Sequence, residues 1–147
     1  MKSISIIFCF LITSVLFSQE NLKAEIPSQK QLDSIKVALE ILFKKDQTFR
    51  RIYTEAEEKL GKDSFEMNYF WEVVEADDKI LEKQVTNIIN KFGWLGISQV
   101  GRLANDTQWS ILQHGSVTNK EKYAPLLKAS VLKNESQATH YVRLVVW

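Results

Sequence analysis

Apolar residues recur along this chain at helical spacing, and the recurrences break at glycine, proline and polar cap residues. Leu32, Ile35, Leu39, Leu42 and Phe43 form one stripe, which continues through Phe49, Ile52, Tyr53, Ala56 and Leu60. Residues three and four apart share a helix face, so this spacing predicts an amphipathic helix. Ser28 with Gln31 has the form of a capping box at its start, and Gly61 is a left-handed stop at its end. One long helix, or two with a break near Lys45, both fit this stretch.

Asp63 with Glu66 offers a second capping box, ahead of a stretch crowded with Phe65, Tyr69, Phe70 and Trp71. Ile80, Leu81, Val85, Ile88, Ile89 and Phe92 lay down another helical stripe, closed by Gly93, with Asp77 and Asp78 at its front. Residues 93–101 carry Gly93, Gly96 and Gly101 with Trp94, and read as a loop. Leu103 to His114 is a further helix, with Ala104, Gln108, Ile111 and Leu112 on one side and Gly115 ending it. Thr118 with Glu121 forms a third capping box, followed by Tyr123, Leu126, Leu127 and Val131. Pro125 falls inside that pattern and predicts a kink or a late helix start, since an interior proline costs about 3 kcal/mol. From Glu135 to Trp147, Tyr141, Leu144 and Val145 suit a helix, whereas the Val-Val-Trp ending also suits a strand.

The N-terminus breaks the amphipathic pattern. Lys2 precedes an apolar run from Ile4 to Phe17 interrupted only by Ser and Thr, and polar sequence resumes at Ser18, Gln19 and Glu20. That order is the layout of a cleavable secretory signal, with Ser18–Gln19 the expected bond. The run is shorter than the roughly 20 residues a spanning helix needs. An uncleaved anchor is the alternative; a lipoprotein anchor is excluded because Cys9 sits mid-run. The expected location is periplasmic or secreted, with no stable membrane anchor after cleavage. The expected fold is all-α: a small single-domain bundle of about five to six helices, with 1–18 the signal peptide, 19–27 a short tether and 28–147 the helical domain.

Composition narrows the function classes. The chain has 147 residues, 19 Lys plus Arg and 18 Asp plus Glu. Removal of Lys2 with the signal leaves a neutral domain, without the basic excess that attracts nucleic acid. Cys9 is the only cysteine and lies in the signal, so the mature domain has no thiolate ligand. With only His114 and His140 as histidines, and no His-x-x-x-His spacing, no metal site and no cofactor are expected.

Asp46 and Arg50 are four apart and share a helix face, where they form an ion pair or bind a ligand jointly. Acids at Asp77 and Asp78 either complement a helix dipole or serve as a base or metal ligand, though no second ligand stands at helical spacing. His114 ends a helix, where imidazolium complements the dipole, and imidazole is also the side chain most able to titrate near neutral pH. Gln113 beside it is placed to hydrogen-bond a ligand.

These residues fall into an ordered series: Asp46-Gln47-x-x-Arg50, Asp77, Ile88-Ile89, Phe92-Gly93-Trp94, Val100-Gly101, Trp109 and Gln113-His114. The series resembles the bacterial family catalogued as domain of unknown function 6624, over roughly residues 42–143. Family members have a helical domain with an Asp-Gln-x-x-Arg start, a Gly-Trp-Pro loop and a Gln-His-Ala-Asp motif. Leu95 stands here in place of the proline, Gly115 and Ser116 in place of Ala-Asp, and Arg143 follows Val142 where the family has an acid. The family's Tyr-Gly-Thr-Gln ending does not follow, which gives the expectation of a C-terminally truncated copy or an incomplete site. The resemblance implies no activity. It implies candidate ligand-binding positions: Asp46, Arg50, Asp77, Gln113, His114 and Arg143. Three function classes follow: binding of a small molecule or partner protein, a hydrolase-like enzyme using His114 with Asp46 or Asp77, and an interaction module with an exposed patch at Trp71 or Trp94.

Overall fold

The computed structural model describes residues 24–146; the expected signal peptide, the start of the tether and Trp147 lie outside them. Among the described residues there are six helices and no strand: α1 (Gln29–Leu60), α2 (Phe65–Phe92), α3 (Ile97–Val100), α4 (Arg102–His114), α5 (Val117–Leu132) and α6 (Ala138–Val145). The expected all-α domain is therefore the observed one. None of these helices is long and apolar enough to cross a membrane.

The Ser28 capping box forms as the sequence predicts, with Ser28 and Gln31 satisfying each other's backbone donors. α1 then runs unbroken through Lys45, because no Gly or Pro interrupts it between Gln29 and Leu60. Ser64, not Asp63, caps α2, its hydroxyl accepting from the backbone N–H of Met67. α2 also runs unbroken, so Asp77 and Asp78 lie in its middle and not at a helix front, where a dipole would explain them. Ser116 displaces Thr118 as the cap of α5. Pro125 stays inside α5 on its exposed side, where it leaves the carbonyl of Glu121 without its usual helical donor. The C-terminal ambiguity resolves as helix α6.

α1 and α2 contain 32 and 28 residues, about 48 and 42 Å at 1.5 Å per residue. They run antiparallel, as the pairs Lys91–Glu25 near one end and Arg50–Asp78 farther along require. α4 lies along α1 in the same direction: Lys36 lies beside Gly101 at the start of α4, and Ser110 and His114 farther along both reach Asp46. Beyond that level the α1–α2 hairpin packs mainly on itself, Tyr53 lying 5.7 Å from Phe70 and 5.3 Å from Trp71 between ring centres. Trp71 is half exposed there, with Tyr69 and Phe65 more so.

The core gathers Leu39, Leu81, Val85, Ile89, Leu112, Leu127 and Leu144 from the long hairpin and the C-terminal helices. The segment after Gly93 is tied into it by buried polar side chains. Asn105 Nδ2 and Gln108 Nε2 donate to the Leu95 carbonyl at 2.7 and 2.8 Å, and Gln108 Oε1 accepts from the Leu95 N–H at 3.1 Å. Trp94 donates to Ser136, which also bonds Asn105 and Ser130, so this indole belongs to an internal network and not to a surface patch. Gly93 and Gly101 have φ of 74° and 78°, the left-handed region that ends one helix sharply and lets the chain turn into the next.

Candidate functional site

Asp46 is the deepest charged group described, with its residue 2 % exposed. Its Oδ1 accepts from Arg50 Nε at 3.1 Å and lies 3.2 Å from His114 Nδ1. Its Oδ2 accepts from Gln47 Nε2 at 2.7 Å and Ser110 Oγ at 3.3 Å. Burial alone pushes the Asp46 carboxyl upward in pKa, but the His114 hydrogen bond, the Arg50 charge and the Gln47 bond outweigh it. The net shift is downward, so Asp46 is a carboxylate.

That charge fixes the imidazole. A carboxylate only accepts, so the shared proton sits on His114 Nδ1. In neutral imidazole the lone pair is then on Nε2, which has no hydrogen-bond partner among the described residues. His114 is 29 % exposed at its side chain and lines a cleft of about 300 Å³ with Glu75, Asp78, Lys79, Glu82 and Ser116. Gly115 sits at the rim, where a Cβ would meet the Glu82 carboxylate and push that side chain aside. The gap lets Glu82 accept from the Ser116 N–H at 2.7 Å and its hydroxyl at 3.0 Å, where an acid also complements the start of α5.

Arg50 closes the network, its NH2 group donating to Asp78 Oδ1 at 2.7 Å. Donor atoms of Asp46, Asp78 and His114 lie within 4.8 Å of one another, a grouping able to surround a divalent ion. The Arg50 guanidinium already bridges both carboxylates, so a metal would have to displace a paired cation.

Three of the expected positions thus converge: Asp46, Arg50 and His114. Asp77 instead pairs with Lys45, outside this network. Helix phase explains the exchange of Asp77 for Asp78. Val74, Leu81 and Val85 form the buried seam of α2, and at 100° per residue the two acids flank it on opposite sides. Gln113 likewise points about 100° away from its neighbour His114, and lines a separate groove with Trp109 and Arg143. Asp78 was weighed beside Asp77 in the sequence but not carried into the candidate set, and Gln47, Ser110 and Glu82 are the members that sequence reasoning passed over. Gln47 stood inside a recognised motif; Ser110 and Glu82 are reached through packing of α1 against α2 and α4.

No family model, curated protein or solved structure matches the chain. A functional reading therefore rests on the geometry of Asp46 and His114.

Proposed function

We propose that this chain is an exported helical domain that binds a small polar ligand in the cleft over His114, with His114 as its acid–base contact. One observation carries the reading: a buried carboxylate holds His114 Nδ1 at 3.2 Å, and the same imidazole lines the cleft. A histidine that served only to stabilise the end of α4 would need neither a buried counter-charge nor a cavity beside it. Asp46, Arg50 and His114 are three positions of the motif series, so membership of the family catalogued as domain of unknown function 6624 belongs to the same proposal. Export rests on the charge-then-apolar order of residues 1–18.

Thermal-shift screening of small polar compounds against the purified parent, His114→Ala and Asp46→Ala tests it. The expected result is a compound that raises the parent's midpoint and leaves both variants unmoved. If every compound acts equally on all three proteins, these residues are not a site.

Catalysis is the second reading, favoured by the same spacing. Asp46 and His114 stand at the distance over which one group orients another that acts as general base. A hydrolase-like step would use Nε2 to take a proton from water or from a ligand hydroxyl. Turnover of a bound compound, lost in His114→Ala, separates this reading from binding alone.

A further inference from the structure

A second cavity, of about 410 Å³, lies between α4 and α6 and is lined by Trp109, Gln113, Val142, Arg143 and Val146. It shares no lining residue with the cleft over His114. Its chemistry is different as well. The cleft presents Glu75, Asp78 and Glu82, whereas the ionisable side chain of this groove is the arginine.

Two buried polar atoms on these lining residues lack a partner among the described residues: the Trp109 Nε1–H donor and the Gln113 Oε1 acceptor. Buried polar groups are nearly always satisfied, so a donor and an acceptor left over on neighbouring turns of one helix need an explanation. Among the described residues Arg143 makes no ion pair and its guanidinium donates no side-chain hydrogen bond. The wall is rigid. Trp109 stacks flat on His140, centroids 4.1 Å apart and planes 1° from parallel, and His140 is itself buried. Val142 and Val146 supply aliphatic surface beside these polar groups.

We infer that this groove binds a small apolar carboxylate that also carries an N–H donor, the chemistry of an N-acylated apolar amino acid or of a peptide's C-terminal residue. The carboxylate accepts from Arg143 and the Trp109 N–H. The amide N–H answers Gln113 Oε1, and the apolar side chain lies on Val142 and Val146. Each unmatched group then has a partner of the right polarity, and the charge of the ligand meets the charge of the groove.

The probe is N-acetyl-leucine, with the neutral N-acetyl-leucinamide as its matched control, added to the purified protein while indole N–H resonances are followed by NMR. The Trp109 resonance, assigned from its loss in Trp109→Phe, is expected to move with saturation. Charged hydrogen bonds of this kind carry about tenfold or more in affinity, so the amide and the Arg143→Gln variant are each expected to bind at least about ten times more weakly. Arg143 is exposed, so its replacement leaves the fold intact, and the parent titration does not depend on any variant. A short peptide ending in leucine, compared with N-acetyl-leucine, separates the sources: tighter binding of the peptide assigns the groove to chain ends, and equal binding to the small acid. The inference is overturned if the Trp109 resonance stays still, which would leave trapped water as the partner of these groups. It is equally overturned if acid and amide, or parent and Arg143→Gln, behave alike.

Discussion

Replacing Asp46 by Asn tests the physical centre of the site, because two opposing effects meet there. Desolvation of a residue only 2 % exposed disfavours the carboxylate, and if that effect won, Asn would stabilise the fold. Four donors converge on its two oxygens, from Gln47, Arg50, Ser110 and His114. An Asn offers one acceptor oxygen, and its NH2 group must face donors. Hydrogen bonds to a charged group contribute about 1.5–3 kcal/mol each, and breaking a buried pair costs about 3–5 kcal/mol. Arg50 keeps Asp78 at 2.7 Å and is not stranded, which lowers the expected loss. Asp46→Asn should cost about 2–4 kcal/mol; with a urea slope of about 2 kcal/mol per molar, the unfolding midpoint drops by about 1–2 M. Asp77→Asn is the internal control. It breaks a pair whose lysine side chain is 44 % exposed, and exposed pairs contribute at most about 1 kcal/mol. Equal losses in the two variants, or a more stable Asp46→Asn, would refute the account of Asp46 as a carboxylate held by its donors.

Acid titration gives a second check on Asp46. Its folded pKa is depressed, so its contribution is present above the ordinary carboxylate value near 3.8 and is lost as pH falls through the lower folded value. Urea midpoints below about pH 4 should fall steeply in the parent and less steeply in Asp46→Asn. His140 predicts a separate limb: burial, with Arg143 and Arg102 adding to it against Asp106, lowers its pKa. The unfolded chain then binds the proton first, so stability is present above about pH 6.5 and declines as pH falls towards the folded value. His140→Phe keeps a ring against Trp109, and its urea midpoint should change less between about pH 7 and about pH 5 than the parent's. Asn105→Ala removes the donor to Leu95 and Ser136 at a site with no exposure, and chemical denaturation should show a loss of about 2–3 kcal/mol. A loss below about 0.5 kcal/mol would mean that Gln108 alone holds the segment after Gly93.

Much of the fold was legible as pattern. The four helices of 13 residues or more each overlap a stretch that the apolar spacing marked as helical, whereas the pattern over α6 suits helix and strand alike, and Gly61, Gly93 and Gly115 stand where α1, α2 and α4 stop. Local rules decide such features, since spacing and caps act within one or two turns. They failed where two local signals competed. Asp63 and Ser64 both suit a cap, as do Ser116 and Thr118, and the hydroxyl that reached a backbone N–H took the position. The short helix α3 was hidden by the glycines that bracket it, Gly96 and Gly101.

The site was legible only in part, and for a different reason. Asp46, Arg50 and His114 were visible because the first two share a helix face and the third sits beside a helix-ending glycine. Whether Asp77 or Asp78 joined them depends on which flank of the α2 seam faces Arg50. Whether Gln113 joined His114 depends on the position of α6, which draws Trp109 and Gln113 into a second groove with Arg143. The sequence by itself determined the helices, their stops and the polar side chains available. The tertiary structure decided which of these meet, because a rotation of 100° between neighbouring residues sends adjacent side chains to different partners.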